Sequence, residues 1–149
     1  MSRIIAMTAA AAALLFIDIG AAAQAQVTAA APDLVPNPSR ILKGTVSVRN
    51  TGGADAGAFV VTVQCQKQGD GGCAEHPGLA KYEDPAYPNR LVVKVSGLKK
   101  GKTFNHKLPF WKDLEWAPGN YNFLVEADPG KKVSEINEGN NIAGAVLHK

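Results

Sequence analysis

The chain has 149 residues and a formal charge of +3, which predict one ordinary domain with one core and exclude a strongly basic nucleic-acid-binding protein. Its one basic cluster, Lys99, Lys100 and Lys102, surrounds a glycine and has no interleaved aromatic side chains on which bases could stack. That cluster predicts a solvated turn, and we expect no nucleic acid among the partners.

The first 25 residues have the organisation of a cleavable signal peptide. Arg3 gives a positive start, residues 4–19 are apolar, and Ala23-Gln24-Ala25 has the small-x-small cleavage pattern. A membrane anchor is the alternative, but Asp18 interrupts the apolar stretch and no basic stop-transfer residues follow it. We therefore predict cleavage before Gln26 and a periplasmic or secreted mature protein without a transmembrane segment.

Strand patterns begin after a short leader. Residues 26–31 are rich in alanine and predict a flexible leader, and residues 32–149 predict a single domain. Residues 33–36 predict a short first strand that ends at prolines. Residues 45–49 alternate with the two-residue period of a strand that buries one face. A turn rich in glycine follows.

The strongest strand pattern starts at Phe59 and reaches Cys65, with apolar side chains on one face. Cys65 and Cys73 both lie in the exported part, where an even pair of cysteines predicts a disulfide. A metal site that adds His76, with Glu75 nearby, is the alternative. The spacing of these residues matches none of the usual zinc patterns.

Two aromatic loops separate the remaining predicted strands, residues 91–95, 103–110, 121–127 and 142–147. Residues 75–89 predict a loop with Tyr82 and Tyr87 beside prolines, and a second loop lies between Trp111 and Trp116. These four aromatic side chains are candidate partner-binding anchors, with ordinary packing as the alternative. His106 falls on the apolar side of its strand and predicts a satisfied core or rim residue rather than a catalyst.

Every strong pattern has period two, and no window has a convincing helical period. The fold class is therefore predicted as all-β, an immunoglobulin-like antiparallel β-sandwich of about seven strands.

Residues 128–141, termed the closing segment, combine a turn signal with acids and asparagines before the last strand. The candidate site residues are Asp128, Glu135, Glu138, Asn140 and Asn141. One interpretation is structural, in which these side chains bond to backbone groups at a corner of the sandwich. The alternative is calcium binding through their oxygens, although Lys131 and Lys132 place positive charge beside any such site.

The chain resembles the CARDB domain, the cell-adhesion-related domain found in bacteria. The residues that carry the resemblance are Pro32-Asp33-Leu34, residues 46–57 (VSVRNTGGADAG), Val95-Ser96-Gly97-Leu98 with Gly101, Pro118-Gly119-Asn120-Tyr121, and Asp128, Val133, Glu135, Asn137, Glu138, Asn140 and Asn141 of the closing segment. The resemblance implies an immunoglobulin-like sandwich.

The chain also departs from the family pattern. Family members usually occur as repeats or appendages in large surface proteins, whereas here we expect one copy to form the mature chain. Residues 65–89 and 111–116 are longer than the family's usual connections, so we expect a specific binding role there.

These observations predict an exported, non-catalytic binding module of the bacterial envelope, whose partner is an envelope or extracellular protein or a glycan. The resemblance adds adhesion as a candidate role. A calcium-binding module that uses the closing segment is the alternative, and no other cofactor is expected. No nucleophile, base and orienting group form a recognisable set, so we do not expect an enzyme.

Overall fold

The computed structural model describes residues 30–69 and 71–149, which form an antiparallel β-sandwich. Its seven strands are β1 (Leu34–Pro36), β2 (Thr45–Asn50), β3 (Phe59–Lys67), β4 (Leu91–Val95), β5 (Thr103–Lys107), β6 (Asn120–Ala127) and β7 (Ile142–His148). One sheet has the order β1-β2-β5 and the other has the order β4-β3-β6-β7. The predicted fold class is confirmed.

β3 is a central strand of the larger sheet because both of its edges are paired, with β4 on one side and β6 on the other. Its residues Phe59, Val61 and Val63 face the core and are at most 5% exposed. The predicted alternation therefore determines which face of the strand packs against the other sheet.

The core lies between the two sheets and receives side chains from both. Val46 and Val48 of β2 are fully buried, and Leu34 of β1 is buried to the same extent. From the larger sheet, the inward face of β6 contributes Tyr121 and Phe123. Burial of this shared apolar surface is the main force that holds the two sheets together.

Three short 3₁₀ helices connect the strands, at Pro38–Lys43, Pro77–Tyr82 and Trp111–Asp113. The first two begin with proline, whose missing N–H has no partner to lose at the start of a helix. The sequence predicted loops here, because one or two turns of 3₁₀ helix are too short to give a helical hydrophobic period. Pro77–Tyr82 lies against β4 and closes one side of the sandwich.

The predicted signal peptide, residues 1–25, lies outside the described residues, as do residues 26–29 of the predicted leader. Within residues 30–69 and 71–149, no helix has the length and apolar character needed to cross a membrane.

Candidate functional site

The closing segment leaves β6 through a tight turn at Asp128. Asp128 is 2% exposed and has a φ of +47°, a left-handed conformation that aspartate tolerates better than most residues. Its Oδ2 accepts a hydrogen bond of 2.7 Å from the backbone N–H of Val133, whose side chain is buried in the core. The carboxylate and the apolar side chain together fix the first half of the segment.

Glu135 joins the closing segment to the first strand. Its Oε2 accepts a hydrogen bond of 2.5 Å from the N–H of Leu34, and its Oε1 accepts one of 2.9 Å from Nδ2 of Asn141. Burial raises the pKa of this carboxyl above its ordinary value of 4.5, and the nearby Glu138 and Asp128 add to the rise, while the two hydrogen bonds oppose it.

A second contact ties the segment to the residue before β1. Asn140 donates from Nδ2 to Oδ1 of Asp33 at 2.9 Å, and the N–H of Ile136 donates to the carbonyl of Pro32 at 2.9 Å. Glu138 is exposed and accepts only a 3.3 Å hydrogen bond from the N–H of Glu135. The structure thus brings the predicted residues to one corner of the sandwich, where they act mainly on backbone groups and on each other.

Asn50 is a structural residue at the same corner that the sequence analysis did not single out. It is fully buried, and its Oδ1 accepts from the N–H groups of Asp33 and Gly52, each at 3.1 Å. Its Nδ2 donates to the carbonyls of Ala54 and Leu98 at 2.8 and 3.0 Å. The sequence signal was an asparagine followed by Thr-Gly-Gly, which predicted a turn and gave no sign of burial.

Three buried oxygens of the closing segment lack a hydrogen-bond donor within the described part of the chain. They are Oδ1 of Asp128, Oδ1 of Asn140 and Oδ1 of Asn141. Buried polar atoms are normally satisfied, so these three are the feature of the corner that the structural interpretation leaves unexplained. The described residues contain no group of three or more His, Cys, Asp or Glu side chains placed to hold a metal ion.

The predicted disulfide is present and shapes the loop after β3. Cys65 and Cys73 are bonded, with their Cα atoms 6.2 Å apart. Both are half-buried and pack against the edge of the core. The bridge turns the chain back toward Pro77–Tyr82, and it excludes the alternative metal site, because neither sulfur is a free thiolate.

Tyr82 is not available as a surface anchor, so that prediction is wrong. Its side chain is 7% exposed and packs edge-on against Phe110, with ring centroids 5.9 Å apart. Its hydroxyl shares a 2.9 Å hydrogen bond with Nε2 of His106 on β5. Tyr82 therefore attaches the first aromatic loop, which precedes β4, to β5 of the other sheet. His106 is a residue at the rim of the core whose Nε2 has a hydrogen-bond partner, as the sequence predicted. Burial lowers the pKa of His106, and Lys81 lowers it further.

The other three predicted aromatic residues are half-buried. Trp111 and Trp116 lie 5.4 Å apart between ring centroids, and each also packs against Phe123 of β6. Gly44 has a φ of +71°, and a Cβ at that position would overlap the Trp111 ring, so the close approach requires glycine. The two tryptophans are therefore fixed to the core on one side.

The two aromatic loops enclose a cavity of about 810 Å³, termed the loop cavity, at one side of the sandwich. Its floor is apolar and includes Ile41, Val63, Leu91, Leu108, Phe110 and Phe123. Tyr87, Trp111 and Trp116 line it as well, as do both disulfide cysteines. Three of the four predicted anchors thus meet at one cavity, although they are distant in the sequence.

The polar lining of the loop cavity carries more acid than base. Glu83 and Asp84 are the acidic residues of its lining, and Arg90 is the basic one. The Arg90 guanidinium is engaged by Oε2 of Glu126 at 2.5 Å and by Oγ1 of Thr62 at 3.3 Å. Asp84 has Lys94 at 3.8 Å, but that lysine side chain is 80% exposed. The uncompensated charge of the lining is therefore negative.

The three histidines make separate structural contacts. His76 stacks on Phe110 with ring centroids 5.0 Å apart, and His106 bonds to Tyr82 as described. His148 lies 2.7 Å from Oδ1 of Asn120 at the end of the larger sheet. No hydrogen bond in the described part of the chain joins a histidine to a serine, threonine or cysteine side chain.

The chain is similar to solved structures, among them the following two. A domain of a predicted cell-surface protein of Methanosarcina acetivorans matches with a TM-score of 0.52 and 20% identity, covering 80% of this chain and 92% of that one. The CARDB domain of a Pyrococcus furiosus protein, described in complex with di-metal ions, matches with a TM-score of 0.45 and 19% identity over 79% and 93% of the two chains. At such identity the first likeness shows the fold alone.

No curated protein matches the sequence. The family model CARDB matches residues 26–145, which include all seven strands except the last residues of β7, the closing segment and both aromatic loops. The chain therefore belongs to the CARDB family.

Proposed function

We propose that this protein is an exported, non-catalytic binding module of the bacterial envelope, related to adhesion, and that the two aromatic loops carry its contacts. Membership of the CARDB family and the predicted signal peptide support the location. The Methanosarcina acetivorans relative in fold is itself a predicted cell-surface protein. The partner we expect is a protein, glycan or smaller component of the envelope or of the space outside it.

The loop cavity is the observation that carries this proposal. The Cys65–Cys73 disulfide fixes the chain that leads into the first loop, and the Tyr82–His106 contact fixes that loop to β5. The tryptophans of the second loop pack against Phe123 of β6. Such rigid support is more than a connection between strands requires, and concave apolar sites with a few polar groups are typical of ligand binding. The loop face, defined as Glu83, Asp84, Tyr87 and Trp116, is the surface we expect a partner to contact.

The contacts of the histidines support a non-catalytic role. Acyl transfer requires a histidine paired with a serine, threonine or cysteine nucleophile. The hydrogen-bond partners of the three histidines are instead a backbone N–H for His76, the Tyr82 hydroxyl for His106 and an amide oxygen for His148. Glu135 and Glu138 belong to one tight corner rather than facing each other across a cleft, as paired carboxylates for glycoside hydrolysis must. Screening the protein against peptides, esters and glycans tests this point, and turnover of any of them would contradict it.

Capture from envelope extracts tests the binding role. The bait is the protein beginning at Gln26, and the test variant combines Glu83→Lys with Tyr87→Ala on the loop face. Glu138→Lys is the matched control, because Glu138 is an exposed acid with no ion-pair partner among the described residues and lies outside both aromatic loops. We expect the wild type and the control to retain the same component and the loop variant to lose it. Equal retention by all three proteins, or by none, would contradict the proposal.

Calcium binding by the closing segment is the second candidate function. The three buried oxygens without donors favour it, because carboxylate and amide oxygens are calcium ligands. Against it, both oxygens of Glu135 and one of Asp128 already accept hydrogen bonds, and Lys131 and Lys132 lie in the same turn. We therefore rank it below the structural role of the segment.

A further inference from the structure

The loop cavity has the size of a small-molecule site, and its lining indicates the chemical class of the molecule. Its volume of about 810 Å³ falls within the ~300–1,000 Å³ range of sites that enclose drug-sized ligands. The inference below rests on the proposed function, since it specifies what part of a ligand the loop face accepts.

The floor of the cavity suits an apolar group. Val63 and Phe123 belong to the core face of the larger sheet, and Leu108 adds a buried side chain from the end of β5. Leu79 and Leu91 are half-buried and line the cavity from the loop and from β4. Val63, Phe123 and Leu108 already exclude water, so an apolar ligand body would remove from water mainly the exposed parts of Leu79 and Leu91. That burial is the main favourable term for such a site.

The charged residues of the lining suit a cation. Glu83 has no ion-pair partner among the described residues, and Asp84 has only the exposed Lys94 at 3.8 Å. A pair so exposed contributes little and is screened by salt. Arg90 is already held by Glu126, so it offers no free positive charge to an anionic ligand. A positively charged group is therefore attracted to this lining and an anionic group is repelled.

The aromatic residues support the same conclusion. Trp111, Trp116 and Tyr87 all line the cavity, and no hydrogen bond among residues 30–69 and 71–149 uses either indole N–H. Aromatic rings attract ammonium groups through their π electrons, tryptophan most strongly, and clusters of such rings recognise quaternary ammonium ligands. Two tryptophans and a tyrosine beside two carboxylates form a combination of this kind.

We propose that the loop cavity binds an amphiphilic organic cation. The apolar body of the ligand occupies the floor, and its amine or quaternary ammonium group lies beside Glu83, Asp84 and the aromatic side chains. Neutral and anionic amphiphiles with the same apolar body bind more weakly, because they lack the attraction to the carboxylates and rings.

The test uses octyltrimethylammonium, octanol and octanoate, which share one apolar chain and differ in charge. Binding is followed by intrinsic fluorescence, since the two tryptophans of the chain both line the cavity, and the stoichiometry is measured by calorimetry. We expect the cation to bind at least about tenfold more tightly than octanoate, with octanol in between.

Two sets of variants separate charge from shape. Glu83→Gln with Asp84→Asn removes both carboxylates while keeping their size, and it should reduce the preference for the cation to less than about threefold without weakening octanol. Asp113→Asn with Glu115→Gln is the matched control, because it removes two exposed acids that do not line the cavity. Ala74→Phe fills the cavity and should abolish binding of all three probes. Leu79→Trp is the second filling variant if the first does not fold.

The outcomes distinguish this inference from the proposed function. The proposal that the ligand is a cation would be wrong if octanoate bound as tightly as octyltrimethylammonium. It would also be wrong if the preference for the cation remained after both carboxylates were removed. Failure of all three probes to bind would overturn the cavity as a small-molecule site. Capture of an envelope component that still depends on the loop face would then leave the proposed function standing.

Discussion

The carboxylate of Glu135 accepts the backbone N–H of Leu34 across 101 residues of sequence, at 2.5 Å. Leu34 is fully buried and is the first residue of β1. Its backbone N–H therefore donates its hydrogen bond to a protein side chain, and that side chain comes from the closing segment. The same carboxylate accepts from Asn141, just before β7. One side chain thus joins the first strand to the approach of the last.

Replacement of Glu135 by glutamine should destabilise the fold by about 1–3 kcal/mol, the cost of an unsatisfied buried partner. The glutamine amide keeps one acceptor oxygen, but in the present orientation of Asn141 its NH₂ group must face either the Leu34 N–H or the Asn141 Nδ2–H, both of which are donors. Urea unfolding measures the change. Glu138→Gln is the control and should stay within about 0.5 kcal/mol, because Glu138 is exposed. Equal losses in the two variants would contradict the role assigned to Glu135.

Calcium at millimolar concentration should leave the melting temperature unchanged. Asp128 already uses one oxygen to hold the Val133 N–H, and two lysines of the same turn repel a cation. Thermal unfolding with calcium and with a chelator measures this. A rise in melting temperature that disappears in Asp128→Ala would show binding to the folded state and would move the closing segment to the metal-binding class.

Removal of the disulfide should loosen one loop and leave the sandwich folded. The bridge joins residues only eight positions apart, so chain entropy gives it about 2.5 kcal/mol. We expect Cys65→Ser with Cys73→Ser to keep the strand signal in circular dichroism and to gain protease cuts after β3. Reductant should increase protease cleavage after β3 in the wild type and leave cleavage of the variant unchanged. Free thiols in protein recovered from the periplasm without reductant would refute the pairing in the cell.

Acidification should weaken the contact between Tyr82 of the first aromatic loop and His106 of β5. Burial and Lys81 lower the pKa of His106 below 6.5, so the folded state binds its proton less tightly than the unfolded state. The contribution of His106 to stability is therefore complete above pH 6.5 and is lost as the pH falls through the lower folded pKa. The free energy of unfolding of His106→Gln should decline less than that of the wild type between neutral pH and about pH 5. If the free energy of unfolding falls equally with pH in the two proteins, protonation of His106 does not contribute to the loss of stability.

Mass spectrometry of exported protein should find Gln26 as the first residue. Ala23 and Ala25 are the small side chains that signal peptidase requires before the cut. Membrane-bound protein that retains Met1 would instead support the alternative of an anchor.

The strands were predictable from the sequence because one face of each is more buried than the other, most clearly in β6, where buried and more exposed residues alternate throughout. In β3 the alternation is interrupted only by the buried Thr62. The role of Asn50 was not predictable, since asparagine has the same local preference in an exposed turn as in a buried one with four hydrogen bonds. Tyr82 was misplaced because proline-rich surroundings indicate a loop but not whether that loop folds back onto the core. The loop cavity likewise depends on contacts between residues that are distant in the chain, which no local pattern encodes.

The hydrogen bonds between the start of the domain and the closing segment also determine the order in which parts of the domain can fold. Synthesis from the N-terminus presents β1 early, but the N–H of Leu34 and the carboxylate of Asp33 receive their partners only after residues 135 and 140 have emerged. Long-range closures of this kind form late, because the entropy of a long loop must be lost before the contact is gained. The sandwich therefore cannot be completed before residues 135 and 140 are available, and a chain that ends before them leaves the N–H of Leu34 and the carboxylate of Asp33 without these partners.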